Sequence, residues 1–305
     1  VTVIGAAEPQ QRVYVRRVNI AGNSRTRDEV IRREFRQFES AWYDGDRIKL
    51  SRDRVDRLGF FKDVNVETDE VPNSPDQVDL TVKVTEKPTG NLLLGAGYSS
   101  SDKLSFTASI KQENVFGSGN YLGIEVNTSQ SNRNLVLSTV DPYFTVDGIS
   151  RAIDVFYRTS SPINSRGEEY KLVTPGAAIR FGVPFSEYDT VFFGIGAVRT
   201  EIRGTNAMPN NLYLYRLQFG AVSNSFPLTI GWTRDERDSA LVPNAGSYKR
   251  VNIDWTLAGD TRYIRTNVQY QHYWPITRQF TFAVNGEIGY GKGLAGRPYP
   301  VFKNF

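Results

Sequence analysis

The sequence predicts a mainly β protein in which a small α+β domain precedes an antiparallel transmembrane β-barrel. Three observations predict this fold class. Helical periodicity is confined to residues 12–88, and apolar and polar residues alternate along most of the chain after residue 90. The alternating segments are mostly nine to thirteen residues long. Tilted membrane strands need roughly 9–11 residues, whereas strands of soluble proteins cluster near roughly five or six.

Residues 12–88 contain the signals of a β-α-α-β-β domain. A strand is predicted over 13–20, and Thr26 with Glu29 predicts a capping box that opens a first helix. A second helix from about Asp46 ends at Gly59, a residue suited to a C-terminal cap. The apolar positions of the helices and of the two strands that follow are Val30, Ile31, Phe35, Phe38, Ile48, Val55, Leu58, Val64, Val66, Val78, Leu80, Val82 and Val84. We interpret residues 1–11 as a linker from an upstream domain.

Residues 90–305 contain eleven alternating segments, which we interpret as the N-terminal part of the barrel. They span about 91–99, 103–113, 121–129, 133–141, 150–158, 171–183, 190–202, 225–235, 248–258, 262–274 and 279–290. Tight turns, such as 117–120 and 184–189, alternate with more variable connections, of which 159–170 and 204–224 are long. Short turns at one end and longer loops at the other are typical of bacterial outer-membrane barrels.

The alternation also predicts which side chains face lipid and which face the lumen of the barrel. The predicted lumen-facing residues are Arg250, Asn252, Asp254, Arg265, Asn267, Gln269 and Glu287. The predicted lipid-facing residues are Val251, Ile253, Trp255, Leu257, Phe280 and Phe282. Aromatic residues recur beside the short turns, as the aromatic girdles of membrane barrels do. A soluble β-sandwich is the competing interpretation of the same pattern.

The composition argues against an enzyme and against several classes of ligand. The chain has no cysteine and a single histidine, His272, so it offers no thiolate and only one imidazole for a metal site or a catalytic triad. We expect no catalytic residue, no metal, no cofactor and no small-molecule substrate. A net charge of +4 over 305 residues is too small and too diffuse to predict nucleic-acid binding.

Several strings of residues resemble one known family in its own order along the chain. RVYVRRVNIAGN, DRVDRLGFFKDVNVET and SPDQVDLTVKVTEKPTGNLLLGAGYSS resemble the barrel-proximal POTRA domain and first barrel strand of the outer-membrane protein assembly factors. NVFGSGN, VDPYFTVDG, GWTRDERDSALVPNAG and PVFKNF resemble barrel motifs of that family. The resemblance implies a POTRA domain at 12–88, an outer-membrane location with this domain in the periplasm, and no chemical reaction.

The resemblance also implies a function and its site residues. Client outer-membrane proteins would be folded and inserted through strand pairing at a lateral seam, whose first strand is Asn91, Leu92, Leu93, Leu94, Gly95, Ala96, Gly97 and Tyr98. Glu39 matches an acidic position near the contact with a BamD-like lipoprotein, although on its residues alone it is only a solvated charge at a helix end. The implied partners are the lipid bilayer, assembly-machinery lipoproteins and unfolded clients. The alternative is a two-partner-secretion transporter that exports a polypeptide through its lumen.

Two departures from the family pattern concern the extent of the chain. Family members have several POTRA domains and about sixteen barrel strands, whereas the sequence predicts one such domain and eleven strands. An open sheet would leave unsatisfied backbone groups in lipid, where each costs several kcal/mol. We therefore interpret the sequence as part of a longer protein.

Overall fold

The computed structural model describes residues 12–72, 74–100, 103–161, 170–204, 208–238, 243–277 and 279–303, with the backbone alone at Leu257. The predicted linker 1–11 lies outside these ranges. The chain divides into two compact units, one formed by residues 1–90 with 112–120 and the other by 91–111 with 121–305. Each unit has its own sheet.

The first unit has the predicted β-α-α-β-β order. Its elements are β1 (Tyr14–Ala21), α1 (Asp28–Arg32), α2 (Gly45–Arg57), β2 (Phe61–Glu70) and β3 (Gln77–Glu86). The strand order is β1-β3-β2, with β3 parallel to β1 and antiparallel to β2. The alternating residues of β3 and the apolar faces of the helices meet in one core, in which Val15, Ile31, Val55 and Leu80 are fully buried.

The start of the first helix differs from the prediction. Thr26 does not cap α1, because the N-cap is Arg27 and no side chain caps the helix. The Thr26 hydroxyl instead accepts a hydrogen bond from Asn114 Nδ2 at 2.9 Å, and its amide donates to Glu86 Oε1 at 2.7 Å. α1 has only five residues, and the predicted core position Phe38 is exposed. The prediction of a capping box was therefore wrong, because Thr26 forms its hydrogen bonds with Asn114 and Glu86, which are distant in the sequence.

The second helix forms as its sequence predicts. The Asp44 carboxylate caps it by accepting from the amides of Asp46 and Arg47 at 3.0 and 3.2 Å. Gly59 follows the helix with φ +74°, the left-handed conformation that glycine supplies after a helix end.

The second unit is one antiparallel sheet of eleven strands in sequential order. The strands are β4 (Gly90–Ser99), β5 (Lys103–Gln112), β6 (Tyr121–Thr128), β7 (Asn132–Asp141), β8 (Ser150–Ser160), β9 (Tyr170–Pro184), β10 (Asp189–Gly204), β11 (Val222–Asp235), β12 (Gly246–Gly259), β13 (Tyr263–Pro275) and β14 (Thr281–Gly293). Their number confirms the predicted count. As described, β4 and β14 are the two edge strands of this sheet.

One helix interrupts the strands where the sequence predicted only a long loop. α3 (Asn210–Phe219) lies between β10 and β11, and its residues Leu212 and Tyr215 are buried with Ile202 and Met208. Residues 212–215 are all apolar or aromatic, so no one-sided helical period marked the helix. The preceding Pro209 and the following Gly220 are the helix boundary signals that could have revealed it.

The segment after β14 folds back within the second unit. The ring of Tyr299 lies 5.6 Å from that of Tyr263, and the ring of Phe302 lies 5.6 Å from that of Tyr215 in α3. A Cβ at Gly291 would come within 2.6 Å of the Tyr299 ring, so the glycine leaves the room that this ring occupies.

Candidate functional site

The edge strand β4 is the most exposed strand of the second unit. All ten of its residues are exposed, including Leu92, Leu93, Leu94 and Tyr98 at 56–75%. The predicted seam residues Asn91–Tyr98 therefore all lie on this edge strand. Glycine weakens a strand because it adds backbone entropy and no side-chain packing, and β4 has two interior glycines, Gly95 and Gly97.

The predicted lumen-facing residues share one face of the sheet, which we call the polar face. Arg250, Asn252 and Asp254 of β12 lie opposite Gln269, Asn267 and Arg265 of β13, and Glu287 of β14 lies opposite Gln269. Five of these side chains line a cavity of about 550 Å³ together with Arg180, Thr229, Thr233 and Tyr248. Gln269 and Glu287 do not line it.

Hydrogen bonds connect the charged groups of the polar face across strands. Asp254 Oδ1 accepts from Thr229 Oγ1 at 2.8 Å, and Glu287 Oε1 accepts from Asn267 Nδ2 at 2.6 Å. Arg180 Nη2 donates to Asp154 Oδ2 at 2.7 Å. A sheet face with this many charged and amide groups suits water, because each group would be costly to bury in hydrocarbon.

Glycines make room for the long side chains of the polar face. A Cβ at Gly194 would come within 2.8 Å of Arg180 Cγ, and a Cβ at Gly231 would come within 2.6 Å of Asn252 Oδ1. Both glycines lie directly opposite the residue that they accommodate.

The opposite face of the sheet, the apolar face, contains the predicted lipid-facing residues. Val251, Ile253 and Trp255 lie opposite Trp232, Ile230 and Leu228. Exposed apolar side chains extend over the neighbouring strands and include Leu122, Ile124, Leu137, Phe193, Ile195, Leu228, Ile230, Val268, Val284 and Ile288. Phe280 and Phe282 are 67% and 54% exposed, and the side chain of Leu257 lies outside the described part of the chain. A continuous apolar surface of this extent marks a membrane or protein contact.

The single histidine belongs to a ladder of aromatic rings on β13. Tyr270 Oη lies 3.2 Å from His272 Nδ1, and the ring centroids of His272 and Trp274 are 4.1 Å apart. Within the described ranges, no group of three or more His, Cys, Asp or Glu residues could hold a metal ion. The same ranges contain no helix that is both long and apolar enough to cross a membrane.

Glu39 covers the exposed edge of β1 in the first unit. Its Oε1 accepts from the Val18 amide at 2.9 Å and from Arg32 Nη1 at 3.2 Å, while Arg32 Nη2 donates to the Val18 carbonyl at 3.1 Å. The pair thus occupies both main-chain groups of Val18. Glu39 lies in the segment between α1 and α2, so the expectation of a helix end was wrong.

The segment 112–120, which joins β5 to β6, is an integral part of the first unit. Asn114 is buried, donates to Thr26 Oγ1 at 2.9 Å and accepts from the Gly119 amide at 2.7 Å. The Arg27 amide donates to the Gly117 carbonyl at 3.0 Å. The string Gly-Ser-Gly-Asn predicts this turn, but no pattern in the sequence indicates that the turn contacts Thr26 and Arg27.

Glu86 organises the loop against which this segment packs. Its carboxylate accepts from Ser24 Oγ, the Arg25 amide and the Thr26 amide at 2.9, 3.0 and 2.7 Å. Partial burial opposes ionisation, but these hydrogen bonds outweigh it and lower the pKa of Glu86 below its ordinary value. Glu86 therefore contributes stability at neutral pH that is lost as the pH falls through its folded pKa.

Comparisons with known proteins point to one family. The model of the Omp85 superfamily domain matches residues 114–305, and a POTRA model, described as a surface antigen variable number repeat, matches residues 13–87. The outer membrane protein assembly factor BamA of Neisseria meningitidis serogroup B is 35% identical over 98% of this chain. The chain spans 39% of the length of that relative.

Solved structures give the same fold. The structure of BamA from Haemophilus ducreyi lacking POTRA domains 1–3 matches 98% of this chain and 59% of its own, with a TM-score of 0.73 and 29% identity. CdiB from Acinetobacter baumannii covers 93% of this chain and 54% of its own with a TM-score of 0.58. At 12% identity, the second likeness concerns the fold alone.

Proposed function

The chain belongs to the Omp85 superfamily, and we propose that it is the core component of an outer-membrane β-barrel assembly machinery. The protein lies in the outer membrane, with its POTRA domain in the periplasm. On this proposal the apolar face meets lipid, the polar face lines a wet lumen, and client outer-membrane proteins are folded and inserted without any bond being made or broken.

The observation that supports this proposal is the glycine-interrupted first strand β4, which lies at one edge of the described sheet. An edge strand presents main-chain N–H and C=O groups to which another strand can add, almost independently of its sequence. The two glycines of β4 leave that strand with little side-chain packing to oppose the pairing of a client strand with it. Each client strand that pairs there would satisfy backbone groups that are costly to leave open in lipid, so folding itself would drive insertion.

Photocrosslinking distinguishes this function from a transporter. A photoreactive residue at Leu94, 72% exposed on the edge strand, is expected to capture client strands. The same probe at Ile195, 54% exposed on the interior strand β10, serves as a matched control and is expected to capture lipid only. Client capture at Asn252 of the polar face, with none at Leu94, would support export through the lumen instead.

We also propose that Glu39 contacts a partner lipoprotein through its charge. Glu39→Gln keeps an acceptor for the Val18 amide but removes the charge, so it separates this role from edge protection. We expect it to weaken lipoprotein binding about fivefold, the effect of roughly 1 kcal/mol from one exposed ion pair, in a pull-down or titration.

The control is Glu29→Gln, which removes another exposed charge from the same domain. Hydrogen exchange at Val18 should remain slow in Glu39→Gln and become faster in Glu39→Ala, which lacks the acceptor. Unchanged lipoprotein binding by Glu39→Gln would assign Glu39 to edge protection alone.

A further inference from the structure

A cleft of about 460 Å³ lies within the first unit, beside the segment 112–120. Phe60 and Pro88 line its apolar part, and Arg25 and Lys87 contribute two basic side chains. Phe116 completes the wall. The cleft therefore combines positive charge with exposed apolar surface.

Phe116 is held outward in a conformation that a phenylalanine rarely adopts. Its φ is +51°, in the left-handed region that costs about 1–2 kcal/mol for a residue with a Cβ, and its side chain is 92% exposed. The turn is fixed by the hydrogen bonds of buried Asn114 and by that from the Val115 amide to the Asn120 carbonyl at 3.0 Å. A strained, exposed aromatic ring on a fixed turn is typical of a binding contact.

The two basic groups of the cleft are available to a ligand. Within the described residues, neither the Arg25 guanidinium nor the Lys87 ammonium has a hydrogen bond or ion pair with another group. Glu86, the only acidic residue among those lining the cleft, is already occupied by Ser24, Arg25 and Thr26 through three hydrogen bonds. A ligand in the cleft therefore meets positive charge that this carboxylate does not satisfy.

We propose that this cleft binds the phosphate headgroup of an anionic phospholipid from the periplasmic leaflet, with Phe116 among its acyl chains. Chain connectivity favours lipid, because the lining residues Gly90 and Gln112 are the first residue of β4 and the last of β5. Those strands carry the exposed Leu92, Leu94, Phe106 and Ile110. Aromatic and basic residues at strand ends are the usual contacts of a membrane interface.

The proposal needs only the outer-membrane location and is independent of client insertion. A soluble anion would use Arg25 and Lys87 but would gain nothing from Phe116, so the ring favours an amphipathic ligand. A protein partner would require no particular lipid, so the protein would then retain phosphatidylglycerol and phosphatidylcholine equally.

The test measures which lipids the protein retains. The full-length protein is reconstituted in nanodiscs of phosphatidylcholine containing a minor fraction of phosphatidylglycerol, and retained lipid is counted by native mass spectrometry. Wild type is expected to enrich phosphatidylglycerol. Arg25→Gln with Lys87→Gln should reduce that enrichment at least about fivefold, because each basic residue near an anionic surface strengthens binding about fivefold.

Two further variants control this result. Arg27→Gln removes a neighbouring exposed arginine that does not line the cleft, and it should retain lipid as wild type does. Phe116→Ser should lower retention, whereas Phe116→Trp should preserve it and add a tryptophan emission that brominated phospholipids quench beyond the quenching of the four native tryptophans. Slow hydrogen exchange at the Arg27 amide verifies that the turn is intact in each variant.

Three outcomes would overturn the proposal. These are equal retention of both lipids by wild type, unchanged enrichment in the double variant, and complete displacement by inorganic phosphate. The last would identify a site for free anions. Client insertion is measured in parallel, and its preservation in a variant that loses lipid would separate this site from the proposed insertase function.

Discussion

Proline in place of Leu93 or Leu94 is expected to slow client insertion about tenfold or more while residues 12–88 remain folded. Successive residues of an edge strand direct their N–H groups alternately toward the neighbouring strand and away from it. One of the two substitutions therefore weakens the pairing of β4 with β5, and the other removes an N–H from the open edge of β4, so both impair the strand to which a client would add. Proline is tolerated in an edge strand, but it has no backbone N–H to donate to an added strand.

The size of this effect follows from the surroundings of the missing hydrogen bond. An intramolecular hydrogen bond contributes about 1 kcal/mol in water, but an unpaired backbone group costs several kcal/mol in hydrocarbon. A loss of about 1.4 kcal/mol in the transition state already slows a reaction tenfold. Because client strands would add at β4, the full free-energy cost of the missing hydrogen bond would raise the barrier to insertion.

Alanine at the same positions is the matched control. Leu93→Ala and Leu94→Ala remove the same exposed side chains but keep the N–H, so they should insert clients at close to the wild-type rate. Insertion is followed by the heat resistance of the folded client barrel in reconstituted vesicles. Proline variants as active as their alanine counterparts would exclude main-chain pairing at β4.

The strands of the second unit could be predicted because apolar and polar residues alternate along them, which is typical of strands whose two faces meet different surroundings. Val251 and Ile253 alternate with Arg250 and Asn252, and the structure places the two pairs on opposite faces of β12. Strand ends were less predictable, since pairing with neighbours decides them. β11 begins at Val222 and not near residue 225, because Val222 pairs with Glu201 of the long strand β10.

Contacts between distant parts of the chain could not be predicted from local signals. Thr26 and Glu29 form a valid capping motif, yet the hydroxyl of Thr26 is bonded to Asn114, 88 residues away. Similarly, Glu39 accepts from the backbone amide of Val18, a contact that no spacing rule indicates. The sequence predicted the seam strand from a family resemblance, and the sheet order places β4 at one edge of the described sheet.

Alanine in place of Gly117 is expected to release the segment 112–120 from the first unit. Gly117 has φ +72°, and a Cβ there would overlap the backbone carbonyl oxygen of Arg25, which cannot move like a flexible side chain. The left-handed conformation alone costs about 1–2 kcal/mol for alanine. The overlap would also break the hydrogen bond from the Arg27 amide to Gly117 and the buried one between Asn114 and Thr26, each costing about 1–3 kcal/mol.

Gly59→Ala separates the cost of the left-handed conformation from the cost of the overlap. Gly59 has nearly the same φ, +74°, but a Cβ at that position would have no neighbouring atom within 4 Å. Gly59→Ala should therefore destabilise the protein only by the conformational cost of about 1–2 kcal/mol. Hydrogen exchange of the Arg27 amide in the reconstituted protein should therefore be much faster in Gly117→Ala and nearly unchanged in Gly59→Ala. Equal protection of that amide in both variants would show that the turn is not fixed by its packing on Arg25, and would remove the rigid support on which the placement of Phe116 depends.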